Sequence, residues 1–179
     1  MTIYLIRHGK TVANEQHLYC GSTDLPLSPE GLEELKNLSY AVGKCRFLTS
    51  GMLRTEQTLA ALFGAVPHEV EPAFREIDFG IFEMKSYDQL KEDPAYQAWL
   101  TGDNLANTPP AGESGNAMTQ RALEAFRSLS QDTVVITHGG VIAAIMACLF
   151  PQEENSRYQW QPSPGHGYKI EGNSYYPIP

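Results

Sequence analysis

The stretch Ile3-Tyr4-Leu5-Ile6-Arg7-His8-Gly9-Lys10-Thr11 passes from a run of apolar residues directly into Arg-His-Gly. The apolar run is rich in branched side chains and has no turn former, which is typical of a strand buried on both faces of a parallel sheet. Ligands of open α/β sheets bind at the carboxyl ends of the strands, where Arg7 and His8 stand. Gly9 allows the sharp turn that such a site requires. The stretch therefore predicts either a ligand site or a strand that merely ends in polar residues.

Two later segments repeat this arrangement. Residues 47–50 form a predicted strand, and Arg54 follows at the amino end of a predicted helix. Residues 133–137 read Thr-Val-Val-Ile-Thr, the clearest strand pattern in the chain, and run into His138 and two glycines. Glu76 lies between these segments in an irregular connection with apolar flanks. Strands that alternate with helices predict a three-layer αβα sandwich around a mostly parallel sheet.

The remaining elements are predicted from hydrophobic periodicity and from capping signals. Ser28 followed by Pro29 is typical of a helix start. Leu32, Leu35 and Leu38 predict the buried side of that helix. The predicted elements are, in chain order, a strand over 3–6, a loop over 14–26, a helix over 28–43, a strand over 47–50, a helix over 52–63, a strand over 68–70, short helices over 87–100, a loop over 101–112, a helix over 114–129, a strand over 133–137, a helix over 141–149, a polar connection over 151–164 and an edge strand over 167–178.

Composition narrows the class of protein. The 179 residues are 42% hydrophobic and 19% charged, which suits a globular chain with one domain over 1–179. No apolar run approaches the roughly 20 residues that cross a bilayer, and no secretion signal is recognisable. Cys20, Cys45 and Cys148 lack metal-like spacing, which favours reduced thiols. The sequence thus predicts a cytoplasmic protein without a membrane partner, and it leaves the oligomeric state open.

The formal net charge of −8 argues against nucleic acid as a partner. Phosphate backbones are bound by basic faces, and the chain contains no cluster of Lys and Arg. A small phosphorylated ligand is still compatible with this charge, because a few convergent cations in a cleft can hold one phosphate.

The polar residues at the predicted strand ends are two arginines, two histidines and one glutamate. Arg side chains bind phosphate oxygens bidentately, an imidazole can attack phosphorus, and a carboxyl group can protonate a leaving oxygen. Each residue by itself is better explained by a structural role, as a hydrogen-bonded histidine or a surface ion pair. Their joint placement at the ends of parallel strands favours phosphoryl chemistry.

Arg7-His8-Gly9, followed by Thr11 and Asn14, resembles the signature of the histidine phosphatase superfamily, also called the phosphoglycerate mutase-like family. The similarity continues in the family's order over nearly the whole chain. The other matching segments are 21–28 with Gly31, 50–55 with Thr58, 75–80, 112–114 with Arg121, and 137–140. The resemblance implies a phosphoglycerate mutase-like fold and hydrolysis of a small phosphorylated metabolite, without a metal or a cofactor.

The resemblance also implies a role for each matching side chain. His8 would be the nucleophile that becomes phosphohistidine, and Glu76 would protonate the leaving alcohol and later accept a proton from water. Arg7, Arg54 and His138 would form the phosphate pocket and complete the catalytic set. The implied substrate-binding positions are Arg7, Asn14, Cys20, Gly21, Arg54, His138 and Gly139.

Two positions depart from the family's pattern. Lys10 stands where relatives commonly have an acid or Gln, and it is either a cation at the pocket rim or simply an exposed lysine. Met84 follows Glu83 where many phosphatase relatives have Gly, which would reshape the loop. Residues 81–112 are the insertion available to cover the site. Within it, Tyr87, Tyr96 and Trp99 serve either to stack on a leaving group or to pack the cover.

Other classes of protein fit the sequence less well than a histidine phosphatase. A serine hydrolase fails at Gly112-Glu113-Ser114-Gly115, because the nucleophile elbow needs a glycine where Asn116 stands. A metal hydrolase that uses His8 and His138 lacks a carboxylate cluster to complete the ligand shell. Two alternatives remain: a cofactor-dependent mutase, which must shield its phosphoenzyme from water, and a non-catalytic module that binds a phosphorylated ligand. The short cover favours hydrolysis.

Overall fold

The computed structural model of the protein describes residues 1–151 and 157–179, which are built around one six-stranded sheet. The strands are β1 (Thr2–Arg7), β2 (Arg46–Thr49), β3 (Glu69–Val70), β4 (Thr133–Thr137), β5 (Gly167–Glu171) and β6 (Ser174–Ile178). Their order across the sheet is β3-β2-β4-β1-β5-β6. The first four strands pair in parallel, whereas β1 with β5 and β5 with β6 pair antiparallel. The predicted mostly parallel sheet is confirmed.

Helices cover both faces of this sheet. The α-helices of the described residues are α1 (Val12–Glu15), α2 (Pro29–Leu35), α3 (Leu53–Phe63), α4 (Tyr87–Leu90), α5 (Pro94–Leu100), α6 (Gly115–Arg127) and α7 (Gly139–Leu149). Buried side chains of α6 and α7 form one core cluster with the sheet, and Leu59 of α3 belongs to a second cluster. In the described part of the chain, no helix is both long and apolar enough to cross a bilayer.

Strand β1 shows how the sheet separates these two clusters. Ile3 and Leu5 belong to the cluster with α6 and α7, whereas Tyr4 and Ile6 belong to the cluster with α3. Successive side chains of a strand point to opposite faces, so a continuous apolar run fills both sides. Fully burying one side chain of this size contributes roughly 1.5–3 kcal/mol. This packing produces the three-layer αβα arrangement that the sequence predicted.

The predicted helix over 28–43 is wrong beyond its first two turns, because α2 ends at Leu35. Its start is as predicted: the Ser28 hydroxyl accepts a hydrogen bond from the Gly31 N–H at 3.1 Å, and Pro29 is the first helical residue. The predicted apolar side is not buried as one stripe, since Leu35 is buried and Leu32 is exposed. The chain then turns away, and the hydroxyl of Tyr40 donates to the Gly165 carbonyl.

Two further expectations are corrected by local hydrogen bonding. The predicted loop over 14–26 begins inside α1, because Thr11 and Asn14 form a capping box that starts this short helix. The predicted single edge strand over 167–178 is a hairpin of β5 and β6, in which Glu171 pairs with Ser174. Gly172 has φ +58°, which a glycine adopts without strain and which permits the two-residue turn.

The connection predicted over 151–164 contains a short 3-10 helix over Arg157–Trp160, and residues 152–156 of it lie outside the described residues. The segment 81–112 contains α4 and α5, which confirms two short helices interrupted at Pro94. Phe82, Leu90 and Tyr96 form a small core cluster there. The assignment of this segment as a cover, like that of 1–179 as a single domain, stays a prediction.

Candidate active site

The carboxyl ends of β1, β4 and β2 lie side by side, because these strands are neighbours in the sheet and run parallel. His8 follows β1 and His138 follows β4, while Arg54 lies in the first turn of α3. The two imidazole rings are in edge contact, with centroids 5.1 Å apart and an interplanar angle of 64°. The Nε of Arg54 donates to Nδ1 of His138 at 3.3 Å. The structure therefore brings these three predicted residues together.

His8 is held as a neutral imidazole with one fixed tautomer. Its Nδ1 lies 2.6 Å from the carbonyl oxygen of Gly9, and a carbonyl only accepts, so Nδ1 carries the hydrogen. The lone pair is then on Nε2, which has no hydrogen-bond partner among the described residues, and His8 lines an open cavity. Burial, followed by the charges of Arg54 and Arg7, lowers the pKa of His8 well below its usual value. A neutral imidazole with a free lone pair is what a nucleophile requires.

His138 is also neutral, but both of its ring nitrogens are engaged. Arg54 only donates, so Nδ1 of His138 must accept and Nε2 carries the hydrogen toward Ser50 Oγ, 2.9 Å away. The Thr55 hydroxyl donates to the Met52 carbonyl, so it receives the hydrogen bond of Ser50. Burial, followed by the charge of Arg54, lowers the pKa of His138 well below its usual value. His138 is fully buried behind His8.

Arg54 joins the histidines to the loop that follows α1. The side chain is 1% exposed, and its Nη1 and Nη2 donate to the carbonyls of Thr23 at 2.9 Å and Gly21 at 2.7 Å. Burial lowers the pKa of this guanidinium from the usual arginine value. Gly21 has to be a glycine, because a Cβ there would lie 1.6 Å from the carbonyl oxygen of Ile77. The loop is thereby pressed against the site.

Glu83 also holds the loop around Gly21 in place, a role that the sequence pattern did not indicate. Its carboxylate accepts hydrogen bonds from the backbone N–H groups of Gly21, Ser22, Thr23 and Phe79 and from the hydroxyl of Thr23. The N–H of Gly21 is therefore engaged by Glu83 in this structure. The next residue, Met84, has φ +59°, a left-handed conformation that glycine adopts without strain. The backbone at Met84 thus has a conformation typical of glycine, although the side chain at this position is that of methionine.

Glu76 faces the first turn of α7. Its Oε2 accepts from the N–H of Gly140 at 2.9 Å, and its Oε1 accepts from the N–H of Ile77 at 3.0 Å. The backbone on either side is fixed by Arg121, whose guanidinium donates to the carbonyls of Ala73, Arg75 and Glu76. Arg121 is itself paired bidentately with Glu113 at 2.7–2.8 Å. Arg121 and Glu113 thus position the segment that carries the carboxylate.

A cavity of about 370 Å³ opens onto these groups. Of the predicted site residues, its lining includes Arg7, His8, Asn14, Cys20, Glu76 and Gly139. Arg54 and His138 lie buried behind His8 and support it from the interior. Much of the lining is apolar, and these residues are called the apolar wall: Leu18, Tyr19, Phe79, Trp99, Leu100, Leu105, Met118 and Ala143. The charged and polar lining residues with His8, namely Arg7, Asn14 and Glu76, are called the charged end.

The charged end of this cavity has donors that no described residue uses. Arg7 donates from Nη1 to the Pro162 carbonyl at 2.7 Å, whereas its buried Nε has no partner within the described residues. Asn14 accepts from the Thr11 N–H through Oδ1, which leaves its amide hydrogens available. The N–H of Gly139, at the start of α7, has no acceptor inside its own helix. Buried unpaired donors are costly, so this end is suited to an oxygen-rich anion.

Two other predicted residues, Cys20 and Lys10, have local roles. Burial raises the pKa of the Cys20 thiol, whose Sγ donates to the Thr23 carbonyl at 3.5 Å, so this cysteine is not an activated nucleophile. Lys10 forms ion pairs with Glu34 at 2.6 Å and Glu30 at 3.3 Å on α2. Lys10 is therefore an exposed, paired lysine and not a free cation at the rim.

The aromatic residues of segment 81–112 divide between the two expected roles. Tyr96 is buried and its hydroxyl lies 2.5 Å from that of Tyr19, so it packs the interior of segment 81–112. Trp99 lines the cavity, whereas Tyr87 is exposed. Only Trp99 of these three is therefore placed to contact a ligand in the cavity that contains His8.

The chain matches the family described as the histidine phosphatase superfamily (branch 1) over residues 3–176, and it belongs to that family. It is 29% identical to an adenosylcobalamin/alpha-ribazole phosphatase of Escherichia coli over 97% of this chain and 91% of that protein. It is 30% identical to the protein of the same name from Salmonella typhimurium, over 92% of this chain and 87% of that protein.

Solved structures agree with this assignment. The crystal structure of a phosphoglycerate mutase from Thermus thermophilus superposes with a TM-score of 0.81 at 28% identity, covering 100% of this chain and 99% of that chain. The predicted phosphoglycerate mutase-like fold is thereby confirmed. The relatives of this chain thus include both phosphatases and mutases.

Proposed function

We propose that the protein is a metal-independent phosphatase that hydrolyses a small phosphomonoester through a phosphohistidine on His8. The observation that carries the proposal is the state of His8: a neutral ring whose Nδ1 is bonded to the Gly9 carbonyl and whose Nε2 is free at the cavity. A lone pair at that position is available to attack phosphorus without prior loss of a proton.

In the first step, Nε2 of His8 forms a bond to phosphorus while the bond between phosphorus and the ester oxygen breaks. The leaving oxygen takes the electron pair of that bond and a proton from the carboxyl group of Glu76. Arg7, Asn14 and the N–H of Gly139 donate to the phosphoryl oxygens, because they line the cavity and have donors to spare. The product of this step is a phosphohistidine and a free alcohol.

In the second step, water attacks phosphorus and the bond to Nε2 of His8 breaks. Glu76 accepts a proton of that water, which restores its starting form, and inorganic phosphate leaves. Arg54 and His138 support both steps from behind His8, through the charge of Arg54 and the packing of the two rings. Cys20 and Gly21 belong to the wall that Arg54 and Glu83 hold against the site. The cycle uses groups of this chain and water alone.

The leaving group is a small molecule with an apolar part. The apolar wall beside Glu76 would contact the alcohol part of the ester, and burial of its apolar surface would contribute to binding. The two bacterial relatives are named for alpha-ribazole, so an alpha-ribazole phosphate is one ester of this kind to test first. The similar structure named as a phosphoglycerate mutase makes transfer to a second alcohol the alternative outcome.

The test is release of inorganic phosphate from phenyl phosphate and from alpha-ribazole phosphate, with a chelator present, by wild type and by His8→Ala. We expect turnover in the wild type and a loss of at least about 10^4-fold in the variant, because the attacking atom is gone. His68→Ala is the matched control, since His68 is exposed and pairs with Glu56 away from the cavity. The amount of inorganic phosphate released is the only quantity that this test requires.

Four results would overturn the proposal. Activity that survives in His8→Ala would exclude His8 as the nucleophile, and activity lost with the chelator would indicate a metal. Turnover that appears only after a bisphosphorylated glycerate is added would favour a mutase, and ligand binding without any turnover would favour a non-catalytic module.

A further inference from the structure

Arg157 lines the cavity that contains His8, and it has no partner among the described residues. It is half-buried at the start of the 3-10 helix Arg157–Trp160, and within the described residues its guanidinium makes no hydrogen bond and no ion pair. The other arginines around the site are engaged: Arg7 and Arg54 donate to backbone carbonyls, and Arg121 is paired with Glu113. Arg157 is not part of the motifs that resemble the family signature. It lies in the segment 151–164, for which the sequence predicted a polar connection.

The surroundings of Arg157 make an unpaired cation unfavourable. Burial lowers the pKa of its guanidinium, and the cavity it lines is largely apolar. The carboxylate whose charge acts on Arg157 is Glu76, but no ion pair joins the two residues in the described part of the chain. Glu76 is already held by the N–H groups of Ile77 and Gly140. Among the described residues, Arg157 is therefore a cation that is available to a ligand in the cavity.

The residues that line the cavity indicate which other groups a ligand of Arg157 contains. Arg157 lines the same cavity as the charged end and the apolar wall. A guanidinium presents a planar set of donors that matches a carboxylate or phosphate oxygen pair. In a protein with a net charge of −8, a negatively charged ligand needs such local cations to be bound at all.

We infer that the cavity is a site for a phosphomonoester whose alcohol part has an apolar body and carries a second negatively charged group, which Arg157 binds. This inference rests on the proposed function, because it deepens the assignment of the same cavity. It makes Arg157 a substrate-binding residue that selects the leaving alcohol, whereas Arg7 and Asn14 bind the phosphate that every substrate shares. Esters with a neutral alcohol part would be bound less tightly.

The test measures binding by calorimetry with phosphonates, which have a P–C bond in place of the ester and are not hydrolysed. The probes are 4-carboxybenzylphosphonate and 3-carboxybenzylphosphonate, each compared with its carbamoyl analogue, which has the same shape without the charge. We expect at least one carboxylate to bind the wild-type protein about tenfold or more tightly than its carbamoyl analogue. Arg157→Met should reduce that ratio to nearly one, and Arg157→Lys should keep part of it.

Arg127→Met is the matched control, because it removes the same charge from the exposed last turn of α6 and should leave the ratio as in wild type. The inference is overturned if carboxylates and carbamoyl analogues bind wild type equally, if the preference persists in Arg157→Met, or if no phosphonate binds. Turnover of phenyl phosphate is measured in parallel. A preference that depends on Arg157 in a protein without turnover would overturn the proposed hydrolysis and support the subsite.

Discussion

His8 and His138 are the same residue type in matching places, each directly after a parallel strand, yet the fold gives them different chemistry. Both are kept neutral by burial and by Arg54. His8 keeps Nε2 free at the cavity, whereas His138 has one nitrogen on Arg54 and the other on Ser50. The difference teaches that the position at a strand end brings an imidazole to the site, and that its hydrogen-bond partners decide whether it can react.

The largest expected effect on turnover comes from substituting His8, and the same substitution at His138 tests the difference between the two residues. His8→Gln should reduce turnover of phenyl phosphate by about 10^4-fold or more, whereas His138→Gln should reduce it by about 10^2-fold, because only His8 supplies the attacking atom. The free energy of unfolding should show the reverse order, since His138 is the more buried and more fully bonded residue. Steady-state kinetics and urea unfolding of both variants test this. Equal losses of turnover would contradict the division of roles.

Arg54→Met removes the group that the two histidines share. We expect turnover to fall by about 10^2-fold to 10^3-fold and the free energy of unfolding to fall by about 3 kcal/mol, because the carbonyls of Gly21 and Thr23 lose their buried donor. The pKa values of both histidines should rise, since a nearby cation no longer opposes their protonation. NMR titration of the imidazole signals measures this shift. Unchanged pKa values would show that burial alone keeps the rings neutral.

Ser50→Ala separates the second hydrogen bond of His138 from the first. The buried Nε2–H of His138 would lose its acceptor, which should lower the free energy of unfolding by about 2 kcal/mol. Turnover should fall only a few-fold, because His8 keeps its own bond to Gly9. Ser39→Ala is the control for the same change at an exposed position. A loss of turnover as large as that of His8→Gln would show that His138 has a direct part in the chemistry.

A pH dependence of stability, which needs no change in turnover, is shared by both histidines. Their pKa values are lowered in the folded protein, so below about pH 6.5 the unfolded chain binds protons that the folded protein does not. The free energy of unfolding should therefore be highest above that pH and should fall with acidification by about 1 kcal/mol per pH unit for each histidine. Urea unfolding from pH 7.5 to pH 5 measures the slope. His138→Gln should show a smaller slope than wild type, and a flat wild-type profile would contradict the neutral state.

The sequence allowed the sheet and the convergence at its edge to be predicted because both depend on local patterns. The apolar runs of β1 and β4 identify strands buried on two faces, and parallel neighbours present His8 and His138 at one edge. The helix over 28–43 could not be predicted to its end, because its apolar spacing continues past Leu35 although the helix does not. Tyr40 and Val42 pack against the core cluster with α3 from outside the helix. The hairpin between β5 and β6 was predicted as a single strand, although Gly172 is a residue that favours a tight turn.

By itself, the sequence determined which residues stand at the ends of the buried strands and which family the chain resembles, because strand periodicity and short motifs are local properties of the chain. Among the described residues, the tertiary structure alone decided which imidazole nitrogen is free, that Glu83 binds a loop 62 residues away, and that Arg157 lines the cavity without a partner. These features depend on contacts between distant segments, and hydrophobic patterning along the chain carries no record of such contacts.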